Sequence, residues 1–153
     1  MKFAVFAMAF GVAATVFAAD SPTVMPPDAG ERMSTAREFI AKKGWGRAQS
    51  ELQSLVRDEP GNADAHNLLA YTYRKQDKPE LAKAFEHYRT ALKLNPQHKG
   101  AHEYIGEAYL MDRKPLEAEK HLAALEKICG NRQCEEYQDL AQSIAAFRKA
   151  NPG

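Results

Sequence analysis

The chain has 153 residues, 44% hydrophobic and 27% charged, with few Gly and many Ala, Leu, Glu and Lys, a balance that describes one soluble helical domain. Its 21 Lys and Arg against 20 Asp and Glu leave a formal charge of +1. No broad field of either sign results, which removes the electrostatic basis for binding nucleic acid or an anionic membrane surface.

Residues 1–18 read as an export signal. Lys2 supplies a positive start, residues 3–16 are apolar or small, and Val16-Phe17-Ala18 offers small side chains where a signal peptidase reads, so cleavage is expected after Ala18. The competing reading, an uncleaved anchor, needs a span of roughly 20 residues. Residues 3–19 are short for that and are interrupted by Gly11 and Thr15. No Cys lies near the cleavage point to accept a lipid. The expected consequence is export across the inner membrane to an oxidising compartment, the periplasm, with no stable membrane insertion afterwards. Residues 19–28 carry Pro22, Pro26 and Pro27 among Ser, Thr and Asp and form a linker that can bury little.

From Asp28 the chain predicts helices in pairs. Asp28-Ala29-Gly30-Glu31 sets a capping oxygen at a helix start and a carboxylate three residues on. The first pair is predicted over 29–42 and 45–58, broken at Gly44 and ended by Pro60-Gly61. The second runs over 63–76, capped by Asn62, and 79–94, opened by Pro79 and stopped by Asn95-Pro96. The third runs over 99–111 and 115–129, with Gly130 placed to end it. A last helix over 134–150 has no partner after it.

These helices repeat. His66-Asn67-Leu68-Leu69-Ala70-Tyr71-Thr72-Tyr73 returns 36 positions later as His102-Glu103-Tyr104-Ile105-Gly106-Glu107-Ala108-Tyr109. Ala84-Phe85-Glu86-His87-Tyr88 returns after 34 as Ala118-Glu119-Lys120-His121-Leu122. Such a period belongs to a stacked helical array. The order Leu69-Ala70-Tyr73-Ala84-Tyr88-Ala91-Pro96, and again Ile105-Gly106-Tyr109-Ala118-Leu122-Leu125, resembles the tetratricopeptide repeat. A degenerate first unit has Ala36, Phe39, Ala48, Leu52, Leu55 and Pro60 in the corresponding order, with Thr35 where a large apolar residue belongs. The second unit departs by two extra residues around Lys78-Pro79. The resemblance implies an all-α fold, an α-α superhelix (solenoid) of three helix pairs, 29–62, 63–98 and 99–132, followed by a capping helix and tail, 133–153.

Packing explains the motif. Ala70, Gly106, Ala84 and Ala118 are small where paired helices approach closely, while Tyr73, Tyr109 and Tyr88 fill the space between units. On the last helix Tyr137, Leu140, Ile144 and Phe147 recur at helical spacing, a stripe suited to covering the third unit or to meeting a partner. Trp45 opens the second helix of the first unit and reads as a packing anchor.

Cys129 and Cys134, the only cysteines, stand close in sequence in a chain read as exported, which predicts a disulfide clipping the last helix to the third unit. Their spacing is not Cys-x-x-Cys, and two ligands do not complete a metal site. His98 and His102 are four apart and His66 recurs at the place of His102, so a metal site can be imagined, yet no acidic or thiol ligand completes it. Packing or solvent-facing roles are expected for these histidines, and no metal or other cofactor is implied. No phosphate loop, paired-His helix motif or nucleophile elbow is present, so no catalytic residues are assigned and no enzyme activity is expected.

The resemblance implies a concave groove lined by the first helix of each pair. Its positions outside the packing face include Arg37, Ile40, Asn67, Tyr71, Arg74, Glu103, Tyr104 and Glu107. This mixture suits an extended peptide or protein segment, with hydrogen bonds from Asn67 and Arg74 and apolar contact from Tyr71 and Tyr104. The alternative is an ordinary surface with partners held elsewhere. The basic and amide pairs of a chaperone-tail clamp are missing, since Met33 and Gly100 stand where a lysine is wanted. The sequence thus reads as a non-catalytic protein-binding adaptor. The rivals are an accessory to envelope redox or metal maturation and a homo-oligomer built through the linker or terminal helix.

Overall fold

The computed structural model describes residues 27–152, so the expected signal segment and most of the linker lie outside the described residues. Seven helices and no strands are found among them: α1 (Ala29–Ala41), α2 (Trp45–Asp58), α3 (Ala63–Lys75), α4 (Leu81–Leu94), α5 (Lys99–Met111), α6 (Pro115–Cys129) and α7 (Glu135–Ala150). No helix among the described residues is long and apolar enough to cross a membrane.

Local chemistry sets the boundaries. Asp28 and Glu31 form a reciprocal capping box at α1. Asn62 Oδ1 accepts from the Ala65 amide at 3.0 Å to start α3. His98 does the same for α5 through Nδ1, which accepts from the Ala101 amide at 3.2 Å, so this histidine serves as a cap. Gly130 ends α6 in the left-handed conformation at φ 69°, as its position predicts.

Two turns differ from expectation. Between α1 and α2 it is Lys43, at φ 55°, that adopts the left-handed conformation, and Arg113, at φ 57°, repeats this between α5 and α6. Gly44 instead brings its amide to the Phe39 carbonyl at 2.7 Å. The helix expected to open at Pro79 begins two residues later, at Leu81. There the Gln76 side chain donates to the Lys78 carbonyl at 3.0 Å and to Glu80 Oε1 at 2.9 Å, and the Glu80 amide reaches back to Tyr73 O at 2.9 Å. The two extra residues are taken up by this wrapped turn, which leaves Pro79 outside the helix.

Short connections fold α2 onto α1, α4 onto α3 and α6 onto α5, and each hairpin packs on the next. Leu52, Leu55, Leu69, Tyr88, Ile105, Leu125 and Leu140 form the fully buried interior, with Ala36, Ala48, Ala70, Ala84 and Ala118 completely buried where helices meet. The histidines join this wall. His66 Nε2 lies 3.2 Å from the Pro60 carbonyl, and a carbonyl only accepts, so His66 carries its proton there and turns a bare Nδ1 toward His87 Nδ1 at 3.0 Å. His87 therefore donates. The same arrangement recurs with His102, the Pro96 carbonyl at 3.0 Å and His121 at 2.9 Å. Tyr73 stacks on His87 and Tyr109 on His121, with centroids 5.9 and 5.7 Å apart.

The last helix occupies the place of a further unit's first helix, packing on both α5 and α6. Leu140 and Ile144 are its buried anchors, flanked by Tyr137 and Phe147. A Cβ on Gly106 would stand 2.7 Å from both Leu140 methyls, so glycine permits the approach. Cys129 and Cys134 are joined in a disulfide with Cα atoms 6.3 Å apart, tying α6 to α7. On the chain-entropy argument so short a loop contributes about 2 kcal/mol.

Candidate binding groove

The first helices of successive hairpins meet along one side of the stack, α3 against α5 and α5 against α7. Helical periodicity turns one face of each toward its hairpin partner and leaves a stripe of positions on the groove side. At its centre stands Arg74. Only 5% exposed, it donates from Nη2 to Glu107 Oε2 at 2.7 Å and from Nε to Tyr88 Oη at 3.2 Å. Its guanidinium lies over the rings of Tyr71 and Tyr104, 5.3 and 5.6 Å from their centroids, and those rings are 4.9 Å from each other. Burial works against the charge, but attraction to Tyr88 and Glu107 outweighs it and holds the Arg74 pKa above its ordinary value. Burial also raises the phenol of Tyr88. The phenol of Tyr104 is pushed up to about 12 by burial and then by Glu103.

On either side the groove deepens. Toward α1 a recess of about 440 Å³ is lined by Ile40, Trp45, Tyr71 and Lys75, with Trp45 edge-on to Tyr71 at 6.3 Å. Toward α7 a recess of about 430 Å³ is lined by Arg74, Glu107, Leu110, Met111, Ser143 and Phe147. Ser143 donates to Glu107 Oε1 at 3.2 Å, so Glu107 bridges three helices.

The residues singled out in the sequence divide into three kinds. Tyr71, Arg74, Tyr104 and Glu107 form one cluster, joined by the Arg74–Glu107 ion pair and by the guanidinium over the two rings, and Arg74 is its organiser, not a free donor. Asn67 and Glu103 are largely covered, 5% and 9% exposed, and lie outside that cluster: among the described residues Asn67 Oδ1 is buried with no hydrogen bond, whereas the Glu103 carboxyl oxygens keep contact with solvent. Arg37 is exposed on α1. The contribution of α7 was missed by sequence reasoning. Glu136, Asp139 and Ser143 recur at helical spacing on that helix, a polar stripe that could have marked it as a groove wall as well as a cap.

Stacked helical hairpins with a polar groove along their first helices define an α-solenoid. A tetratricopeptide repeat family model matches residues 34–86 and 80–132, more than half of the chain, and the protein belongs to the tetratricopeptide repeat family. No curated protein matches the sequence significantly. Among solved structures, the TPR2B domain of yeast Sti1 in complex with an Hsp70 peptide has a TM-score of 0.71 at 15% identity, covering 80% of this chain and 98% of that one. The first TPR of Spaghetti (RPAP3), bound to the HSP90 peptide SRMEEVD, has a TM-score of 0.69 at 17% identity, covering 82% and 94%. The Yersinia enterocolitica type III secretion translocator chaperone SycD, in an alternative dimer, has a TM-score of 0.67 at 16% identity, covering 84% and 94%. At these identities the likeness establishes the fold.

Proposed function

We propose that this protein is an exported, periplasmic adaptor without chemistry of its own, which holds an extended segment of a partner protein in the groove along α3, α5 and α7. The observation that carries the reading is the concentration of polar and aromatic side chains on that one side: Tyr71, Arg74, Tyr104 and Glu107 linked together, with Asn67 and Glu103 beside them. A packing surface would be apolar there. Rigid aromatic faces and fixed polar groups are what an extended peptide needs, since little ordering cost remains at binding. The peptide complexes of the RPAP3 and Sti1 domains support the mode by analogy. Export is supported by the composition of residues 1–18 and by the disulfide, which suits an oxidising compartment.

The test is capture from envelope extract by the chain from residue 19, beside a Tyr71→Ala, Tyr104→Ala double variant. Arg74 is spared because removing it would strand Glu107 and Tyr88. A partner held by the native chain and lost from a variant with native circular dichroism supports the groove. Capture that survives both changes moves the site elsewhere. Self-assembly is the second reading, favoured by the likeness to a SycD dimer. Light scattering that reports a monomer at working concentration removes it.

A further inference from the structure

The groove is chemically one-sided at α5 and α7, and this inference rests on the groove reading above. Among the described residues Asn67 Oδ1 is an acceptor with no donor, on a residue 5% exposed. The other amide atom of this side chain, Nδ2, lies against the first turn of α5, where a Cβ on Gly100 would stand 3.5 Å from it. Gly100 is one turn before Glu103 on the same face, which sets Asn67 beside the face of α5 that carries Glu103. Burying an acceptor without a donor costs free energy, and ionising a largely covered carboxyl beside other acids without a cation costs more. One turn beyond Glu103 on α5, a recess of about 460 Å³ is lined by Glu107, Asp139, Gln142, Ser143 and Ala146, with two carboxylates and no basic side chain. Arg74 pairs with Glu107 and offsets that charge, but among the described residues Glu103, Asp139 and Glu136 have no ion pair.

We infer that the floor formed by Asn67 and Glu103, with the acidic recess beside it, is a binding site for a cationic side chain, arginine or lysine, of a partner peptide. A guanidinium or ammonium supplies several donors and a positive charge, which together satisfy the Asn67 oxygen and the Glu103 carboxylate. The electrostatics agree. Burial, then the charges of Glu107, Asp139 and Glu136, push the Glu103 carboxyl up to about 8, and the opposing pull of Arg74 is the smallest of these influences. A bound cation restores the ionised form and releases a proton where Glu103 had held one. An acidic peptide such as the SRMEEVD of the RPAP3 complex would meet repulsion here.

Isothermal titration of the chain from residue 19 with three capped peptides tests this: alternating Arg and Ser, Gln and Ser, and Glu and Ser. The Arg peptide is expected to bind one to one, and Glu103→Gln to weaken it by about tenfold or more, the effect of losing one charge-assisted contact. Glu117→Gln, an exposed carboxylate on α6, should change nothing. Affinity of the native chain should fall between pH 9 and pH 6.5, as Glu103 takes up its proton, and this dependence should vanish in Glu103→Gln. The Gln variant keeps the shape and matches the protonated carboxyl, so folding is not at risk, and a thermal melt verifies it. Equal losses in Glu103→Gln and Glu117→Gln would overturn the inference in favour of diffuse surface charge. Spermidine binding as tightly as the Arg peptide would overturn the peptide assignment. If the Gln or Glu peptide binds better and Tyr71→Ala with Tyr104→Ala abolishes it, the groove stands and the cationic site falls. If none of the three peptides binds, the cationic site falls, and the groove falls only if capture from extract also fails.

Discussion

Two faces of the same repeated helices follow different rules. On the wall between the helices of a hairpin the second and third units are copies: Pro60 and Pro96, His66 and His102, Tyr73 and Tyr109, Ala84 and Ala118, His87 and His121. The geometry is copied with them, down to paired histidines at 3.0 and 2.9 Å. On the groove side the same offset of 36 pairs Asn67 with Glu103, Leu68 with Tyr104, Tyr71 with Glu107 and Arg74 with Leu110. A wall residue answers to a neighbour that is itself repeated, so drift is penalised by lost packing. A groove residue has no repeated neighbour to answer to, and each position can differ.

The wall is where substitution should hurt most. Leu140→Ala leaves a cavity beneath α7, where Leu140 is fully buried against Gly106, and should cost about 2–5 kcal/mol in chemical denaturation. A loss under about 1 kcal/mol would mean that α7 is not part of the cooperative core. Next come Ala84→Leu and Ala118→Leu. Both alanines have no exposed surface, and overpacking should cost about 1–3 kcal/mol at each, with similar values at the two sites. Very unequal values would break the claim that the wall is a copy.

The histidines make the wall sensitive to acid. Burial, then the neighbouring histidine, lowers the pKa of His87 and takes His121 to about 4, and burial lowers His102 as well. Their folded pKa lies below the unfolded 6.5, so this stability is fully present above pH 6.5 and is lost as pH falls toward about 4. Melting at pH 7.5 and at pH 4.5 should show the loss, and His121→Asn should flatten the slope by about 1 kcal/mol with solvent screening allowed for. Glu103 on the groove side has the opposite sign. Its folded pKa is raised to about 8 from 4.5, so its contribution is present at acid pH and lost as pH rises through that window. At the small end, Arg37→Ala should shift stability by less than about 0.5 kcal/mol, because Arg37 is exposed. A larger shift would place it in the wall after all.

Much of the fold was legible in the residues, and the exceptions have local causes. Helix order, the caps at Asp28, Asn62 and Gly130 and the fixed repeat offset are readable because each acts within about one turn of chain. Pro79 misled because its turn is held by the Gln76 side chain, a contact that no periodicity records. Lys43 took the left-handed conformation beside a glycine better suited to it. The groove was legible as a list of positions and not as a site. Arg74 reads as a ligand donor until its partners Glu107 and Tyr88 are seen, and α7 reads as a cap until Ser143 is seen on Glu107.

The sequence by itself determined seven helices, their pairing into three hairpins with a covering helix, and the small residues that let them approach, because periodicity and breakers are properties of neighbouring residues. Only the tertiary structure decided which polar groups satisfy one another: His66 with His87, Arg74 with Glu107, and Asn67 Oδ1 with nothing among the described residues. Those outcomes depend on a few tenths of an ångström between side chains on different helices, and hydrogen bonds and ion pairs are decided at that scale.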